Sequence, residues 1–197
     1  MKTGVRAGWP GSAALVVAVL AAGCTDNPAE SPAPTSAASV ETTPTPTAPS
    51  AGTPVPAPER PSSPSAPSAE SASATARYFL ELYPYAYASG DLTEWDRLAA
   101  PSCTYCSTTS DDVQRVVDSR HSVTGGAVEI TEARADEVDP GTLYSAFLHY
   151  QEAPSQELDG AGAPVASSDG GTYTALIALR WTGAAWSVEA VDINGVA

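Results

Sequence analysis

The chain has 197 residues, of which 23 are Asp or Glu and 9 are Lys or Arg, and its formal net charge is −14 at pH 7. So acidic a chain is not expected to bind nucleic acid, because that affinity comes from Lys and Arg side chains that neutralise phosphates. The same negative charge argues against binding to anionic lipid through a cluster of basic residues. We therefore expect no nucleic-acid partner, and any contact with a membrane has to come from another source.

The N-terminal segment has the three regions of an export signal. Lys2 and Arg6 come first, an apolar run over residues 13–20 follows, and small residues come next. The run is too short to span a bilayer as a permanent helix. Residues 20–24 read Leu-Ala-Ala-Gly-Cys. This sequence resembles the bacterial lipoprotein box, with alanine in the position that leucine usually occupies.

The resemblance implies that residues 1–23 are a signal peptide, that the chain is cut before Cys24, and that Cys24 is lipidated. Several acyl chains anchor a protein stably, because each buried methylene contributes about 0.8 kcal/mol. Membrane lipid, reached through the acylated Cys24, is thus an expected partner, and the expected location is the extracytoplasmic face of the cell membrane. A plain cleaved signal and a short uncleaved anchor are the alternatives.

Residues 24–70 form a linker rich in Pro, Ala, Ser and Thr. Residues 25–70 hold 12 of the 18 prolines and no aromatic side chain. Such a segment cannot bury enough apolar surface to offset its ordering entropy, so we predict a disordered stalk. As a flexible coil it would span roughly 35–40 Å between the membrane and the domain that follows.

Residues 71–197 contain 13 of the 14 aromatic residues and are predicted to form one domain. Aromatic and aliphatic side chains at three-to-four spacing predict a helix from Ala72 to about Ser89, with a kink or a break at Pro84. A short helix follows around Trp95. A third helix is predicted to begin at Thr109 or Ser110 and to end at Gly125-Gly126.

After the helices the hydrophobic period changes to two, which indicates strands. Short turns between them favour an antiparallel meander, with the helices packed on one of its faces. The predicted fold class is α+β, and the segment 155–170 is predicted to be a loop. The four predicted strands are 128–138, 143–150, 172–181 and 186–193.

Cys103 and Cys106 are separated by two residues, a spacing found in zinc half-sites, redox dithiols and structural disulfides. Zinc lacks further ligands here, since the only other cysteine is Cys24 and the only histidines are His121 and His149. No strand or βαβ unit precedes the pair, as a thioredoxin-type centre would need. We expect a structural disulfide, because an export signal directs the domain to an oxidising compartment. A redox role is the alternative.

The order of helices and a long, curved antiparallel sheet resembles the cone-shaped nuclear transport factor 2-like fold. More narrowly, an aromatic first helix, then Gly90-Asp91, the Cys103-x-x-Cys106 motif and Gly125-Gly126 resemble an uncharacterised family of actinobacterial lipoproteins, the domain of unknown function 6318. Membership of that family implies a location and a fold. It implies no activity and no catalytic residue.

A cone of this kind has a cavity, and the side chains proposed to line it are Tyr83, Tyr87, His149 and Trp181. Isomerases of this fold use an Asp or His base that faces an aromatic pocket. Strand alternation places His149 and Tyr150 on opposite faces, and we find no acid–base pair at a useful spacing.

The predicted function is therefore a non-catalytic binding or protein-interaction module, with no catalytic residue, no cofactor and no metal. Its expected partner is a protein of the cell envelope or a small ligand. The alternatives are an isomerase-like enzyme that uses the cavity and, less favoured, a redox protein that uses the two cysteines.

Overall fold

The structure is a computed structural model, and it describes residues 55–196. Cys24, the predicted signal peptide and most of the predicted linker lie outside the described residues. Three helices precede seven strands. The helices are α1 (Ala69–Ser89), α2 (Thr93–Leu98) and α3 (Thr104–Asp118). The strands are β1 (Ser122–Gly125), β2 (Val128–Asp139), β3 (Leu143–Glu152), β4 (Ser155–Leu158), β5 (Pro164–Ser168), β6 (Gly171–Trp181) and β7 (Trp186–Gly195).

The main sheet has four antiparallel strands in the order β2-β3-β6-β7. This confirms the predicted α+β class, with helices that precede an antiparallel meander. Register shifts interrupt the pairing of β2 with β3 and of β6 with β7. Such bulges bend a sheet and increase its twist.

A second sheet of three strands, in the order β1-β4-β5, was not expected from the sequence. The prediction of a loop over 155–170 is wrong, since β4 and β5 form an antiparallel pair there. Both strands are short, and every residue of β5 is exposed. Backbone pairing therefore holds them without the alternating burial that would show in a sequence.

The helix boundaries also depart from the predictions. Helix α1 begins at Ala69, where Ser68 forms a capping box with Ser71, and it runs through Pro84 without a break. It ends as predicted at Gly90, whose φ of +73° is the left-handed conformation that favours glycine. At the N-terminal side, Arg60 forms an ion pair with Glu94. The last residues of the predicted linker thus contact the domain.

Helix α3 begins at Thr104, five or six residues before the predicted cap at Thr109 or Ser110, because Cys103 acts as its N-cap. The Cys103 sulfur accepts a hydrogen bond from the backbone N–H of Cys106 at 3.2 Å. The helix ends at Asp118, well before Gly125-Gly126, and Arg120 then takes a positive φ of 57°. Residues 122–125 continue as β1, so the predicted C-terminal half of this helix is wrong.

The core lies between one face of the main sheet and the helices. In β3, the residues at alternate positions from Tyr144 to Tyr150 are buried. Leu148, Ile177 and Leu179 are fully buried on this inner face and belong to one cluster with Phe79 of α1. No helix of residues 55–196 covers the other face of the sheet, and Leu176 on that face is 45 % exposed.

Trp95 joins α1, α2 and the disulfide. Its ring stacks on Phe79 with the centroids 4.1 Å apart, and its indole N–H donates to the Cys106 carbonyl at 3.1 Å. Cys103 and Cys106 form a disulfide, and each is only 1 % exposed. A reactive dithiol needs an accessible sulfur, so the burial of both cysteines favours a structural staple.

A pair of leucines on the two faces of the main sheet tests which face is buried. We expect Leu148→Ala to lower the free energy of unfolding by about 2–5 kcal/mol, because it leaves a cavity in the core. Leu176→Ala, on the neighbouring strand and the exposed face, should change it by less than about 1 kcal/mol. Urea denaturation followed by tryptophan fluorescence measures both. Equal losses in the two variants would contradict the assignment of the faces.

Candidate functional site

A cavity of about 300 Å³ lies at the end of the main sheet, between the sheet and helices α1 and α3. We call it the tyrosine cavity, because four of the nine side chains that line it are tyrosines. Its size is at the lower end of the range for small-molecule sites. The lining residues are Leu80, Tyr83, Tyr105, Val128, Tyr150, Glu152, Ser168, Tyr173 and Ile193.

Helix α1 and the disulfide place two of these tyrosines. Leu80 and Tyr83 are three residues apart on α1 and so lie on one face of the helix. Tyr105 lies between the two bonded cysteines, in the first turn of α3. Trp95 lies between these two walls, with its ring centroid 6.4 Å from that of Tyr83 and 6.3 Å from that of Tyr105. The buried staple therefore supports the helical side of the cavity.

Strand alternation determines which residues of the sheet line the cavity. Tyr150 and Glu152 are two residues apart on β3, so both face the helices. Tyr150 pairs with Tyr173 of β6, and their rings stack with the centroids 5.5 Å apart. Two positions further along the register, Gly171 lies opposite Glu152 and brings no side chain. The Tyr173 ring lies over Gly171, where a Cβ would meet its hydroxyl oxygen at 3.2 Å, so this ring forms the β6 wall of the cavity.

Burial dominates the electrostatics of the cavity. It raises the pKa of Glu152, because the charged carboxylate loses solvation there. Burial also raises the pKa of Tyr83, Tyr105 and Tyr150, and the nearby Glu152 charge adds to the shift at each of them. These three tyrosines are thus neutral at physiological pH, and among the described residues Glu152 is the only carboxylic acid that faces the cavity.

Two polar groups of the cavity have no hydrogen-bond partner among the described residues. One is the hydroxyl of Tyr150, a residue that is only 3 % exposed. The other is the carboxylate of Glu152. The Tyr150 hydroxyl is not among the completely enclosed atoms, since it borders the cavity. Buried polar groups normally find partners, so these two are available to a molecule that enters.

A second space, the outer cleft, adjoins the tyrosine cavity and shares Tyr83, Glu152 and Ser168 with it. It has a volume of about 220 Å³ and lies between α1 and the three-stranded sheet. The remaining lining residues are Pro84, Tyr87, Val123, Gly125, Gly126, Ser155, Glu157, Ala166 and Ser167. The shared residues place the two spaces side by side, with Tyr83 and Glu152 between them.

Glu157, the second carboxylate that lines the outer cleft, has an arginine and a histidine as partners. Arg115 of α3 donates to its two oxygens at 2.9 and 3.1 Å, and His121 Nδ1 lies 2.6 Å from Oε1. The hydrogen bonds from Arg115, and then that from His121, lower the pKa of Glu157 to about 2. Glu157 is therefore ionised and compensated by charges of this chain.

The structure separates the four side chains proposed to line one cavity. Tyr83 and Tyr87 both line the outer cleft, and Tyr83 also reaches the tyrosine cavity. His149 lies on the opposite face of the sheet, where its Nδ1 is 2.8 Å from Thr131 Oγ1. Trp181 packs on Trp186 with the ring centroids 5.3 Å apart, and neither lines the cavity. The proposed grouping of His149 and Trp181 with the tyrosines is therefore wrong.

Sequence reasoning missed Tyr105, Glu152 and Tyr173. Tyr105 was overlooked because α3 was predicted to begin after it. Glu152 lies two residues beyond the predicted end of its strand, yet alternation from Tyr150 would have placed it on the inner face. Tyr173 lies in a strand that was predicted correctly, but the sequence did not indicate that its ring pairs with Tyr150.

Within residues 55–196, no group of three or more His, Cys, Asp or Glu side chains is arranged to hold a metal ion. No helix in that part of the chain is long and apolar enough to cross a membrane.

The ion pairs of Glu157 predict a pH dependence of stability. Glu157→Gln should lower the free energy of unfolding by about 1 kcal/mol at pH 7, because Arg115 and His121 lose a charged acceptor and Arg115 is largely exposed. The folded-state pKa is lowered from 4.5 to about 2. The stabilisation is therefore complete above pH 4.5 and disappears as the pH falls through 2.

Urea denaturation of both proteins between pH 7 and pH 2 measures this effect. The difference between the wild type and Glu157→Gln should shrink steadily towards the acidic end. Glu129→Gln, an exposed change on β2, serves as the control and should show no such trend. A difference that stays constant down to the lowest pH would contradict the role of the carboxylate charge.

Comparisons with known proteins place the chain in a family. No curated protein matches it. A solved structure, the intermembrane space region of the chloroplast protein ARC6, is similar with 13 % identity and a TM-score of 0.48, over 66 % of this chain and 98 % of that one. Likeness at that level carries no argument about function. The sequence model of the family described as "Family of unknown function (DUF6318)" matches residues 45–192. Because this match covers well over half of the chain, the protein belongs to that family.

Proposed function

We propose that this protein is an extracytoplasmic lipoprotein whose α+β domain binds a small ligand in the tyrosine cavity without chemically changing it. The observation that carries the proposal is an accessible cavity of about 300 Å³ in which Tyr150 and Glu152 have no hydrogen-bond partner among the described residues. Apolar and aromatic walls with a few converging polar groups are typical of small-molecule sites. A module that acted only through its outer surface would not need such a space.

The lipid anchor rests on the sequence of residues 20–24, which ends in Cys24. The disulfide between Cys103 and Cys106 supports export, because disulfides persist in oxidising compartments. Anchoring at Cys24, followed by a stalk of about 45 residues, would hold the binding domain close to the extracytoplasmic face of the membrane. We include in this proposal the lipoprotein character and the actinobacterial origin that the family resemblance implies.

The nuclear transport factor 2-like cone is our proposal for the finer fold. Its support is the order of the elements, with three helices before the meander, and the bulges that curve the sheet around α1. A cone of this kind has its cavity between the helices and the concave face of the sheet. The tyrosine cavity occupies the corresponding place between α1, α3 and the inner face.

An isomerase-like enzyme is the second candidate, and Glu152 is the observation that favours it. A carboxylate whose pKa is raised, in a cavity that is also lined by tyrosines, is suited to proton transfer. Binding alone explains the same residues, and no second base or acid faces the cavity. A redox function is less well supported, because both cysteines are buried. Exchange of ligand hydrogen for deuterium from D2O would distinguish the enzyme from the binder.

Ligand-observed NMR with a set of small fragments tests whether the tyrosine cavity binds. We expect fragments that bind the wild-type chain to lose at least about tenfold in affinity in Ser168→Trp, because the indole would fill the space that both cavities share. Gln156→Trp is the matched control, since this exposed residue of β4 lines neither space. Fragments that bind both variants equally, or no binding at all, would overturn the proposal. Deuterium exchange into a bound fragment would instead favour the isomerase.

Substitution of Cys24 tests the anchor. We expect Cys24→Ala to abolish incorporation of labelled palmitate and to move the protein from the membrane fraction to the soluble fraction, because the acyl chains are the expected attachment. Ser36→Ala, in the linker, should leave both unchanged. Unaltered labelling of the Cys24→Ala protein would show that the lipidation site lies elsewhere.

A further inference from the structure

We infer that the ligand of the tyrosine cavity is a small organic ammonium cation, held by Glu152 and by the tyrosine rings around it. This inference rests on the proposed function and goes further by naming the chemical class of the ligand. The steps that carry it are the charge balance of the two carboxylates, the aromatic walls and the size of the cavity.

The two carboxylates of this region differ in their partners. Glu157 is bound by Arg115 and lies beside His121, so the chain itself supplies its counter-charge. Glu152 has no cationic partner among the described residues, and no Lys, Arg or His lines either space. A desolvated carboxylate is costly without a counter-charge. The missing partner is a positive charge, and a cationic ligand would supply it.

The walls of the cavity also suit a cation. The aromatic faces of tyrosines carry negative electrostatic potential, and groups of such rings bind ammonium ligands in aromatic cages. Tyr83 and Tyr105 stand on the helical side, and the stacked pair of Tyr150 and Tyr173 stands on the strand side. A neutral polar ligand would use the hydroxyls, but it would leave the charge of Glu152 uncompensated.

The remaining lining residues select an organic cation over a bare metal ion. Leu80, Val128 and Ile193 are apolar and offer contact to methyl or methylene groups. A metal ion would need several oxygen or nitrogen ligands, and the part of the chain that the structure describes has no cluster of three such side chains. A volume of about 300 Å³ limits the ligand to a small molecule or a small head group.

Long-range electrostatics would assist such a ligand. The chain has a net charge of −14, and loss of the predicted signal peptide with its two positive charges would make it −16. A negative field of this kind attracts cations and raises their rate of association. It repels the anionic ligands that a basic cavity would take.

Choline and its neutral carbon isostere, 3,3-dimethylbutan-1-ol, test the inference directly. The two molecules share a shape and a hydroxyl, and differ in that a quaternary nitrogen replaces a carbon. We expect the full chain, purified in maltoside micelles, to bind choline at least about tenfold more tightly than the isostere, because only choline compensates Glu152 and interacts with the rings as a cation. Ligand-observed NMR titration measures both affinities in one buffer.

Variants assign the contribution of each group. Glu152→Gln keeps the shape and removes the charge, and it should weaken choline binding by at least about tenfold while leaving the isostere unaffected. Tyr150→Phe keeps the ring and removes the hydroxyl, so it should weaken choline and the isostere, which share a hydroxyl, by a similar factor and preserve the preference for choline. Glu129→Gln is the control for loss of one surface carboxylate and should have no effect. Glu152→Gln should fold, since it removes a desolvated charge, and its thermal unfolding verifies this.

The outcomes separate this inference from the proposed function. Equal affinity for choline and the isostere would overturn the cation and leave a cavity that binds small molecules. The cation would also be overturned if choline failed to bind a chain that binds other fragments, where Ser168→Trp weakens the binding of those fragments. If neither choline nor any fragment binds in the cavity, the proposed function falls as well. Loss of the preference for choline over the isostere in Tyr150→Phe would point to recognition through hydroxyl groups and would also contradict the inference.

Discussion

The burial of one face of the main sheet against α1 is the constraint on which the rest of the domain depends. Leu148 on β3 and Ile177 and Leu179 on β6 are completely enclosed, and Phe79 covers them from the helix. Since side chains alternate along a strand, a one-residue slip would turn this whole row to solvent. The core therefore determines which residues of β3 face the helices, including those beyond the core at the end of the strand.

Glu152 is a consequence of that register. It continues the inward row after Tyr150, so a carboxylate faces the helical side at the point where the core opens into a cavity. Loss of solvation raises its pKa, which means that its charge disfavours the folded state at neutral pH. Groups that lower stability without a structural role are typical of functional sites. In contrast, Glu157 has cationic partners and contributes to stability.

The aromatic wall opposite Glu152 depends on a separate set of contacts. Trp95 stacks on Phe79 and donates to the carbonyl of Cys106, so it links α1 to the start of α3. The disulfide encloses Tyr105 between its two cysteines and restricts the first turn of that helix. The staple thus has a role in positioning a cavity residue, and its burial argues against exchange chemistry at the sulfurs.

Several features could be predicted from the sequence because local patterns determine them. The alternation of apolar residues predicted the four strands of the meander, and Gly90 predicted the end of α1, since few other residues adopt its positive φ. The disulfide between Cys103 and Cys106 was expected from their spacing together with the predicted export to an oxidising compartment. The short strands β4 and β5 could not be predicted, because they carry no clear apolar alternation and are held by backbone hydrogen bonds, β4 to β1 and β5 to β4.

In the candidate site, too, the sequence predicts some features and leaves others undetermined. By itself the sequence indicated correctly that His149 and Tyr150 point to opposite faces of their strand. Only the tertiary structure decided that Tyr83, Tyr105, Glu152 and Tyr173 meet in one place, while Trp181 packs elsewhere. The physical reason is that these residues come from four separate elements. Their convergence is set by how α1 and α3 pack on the sheet, and no spacing along the chain records that packing.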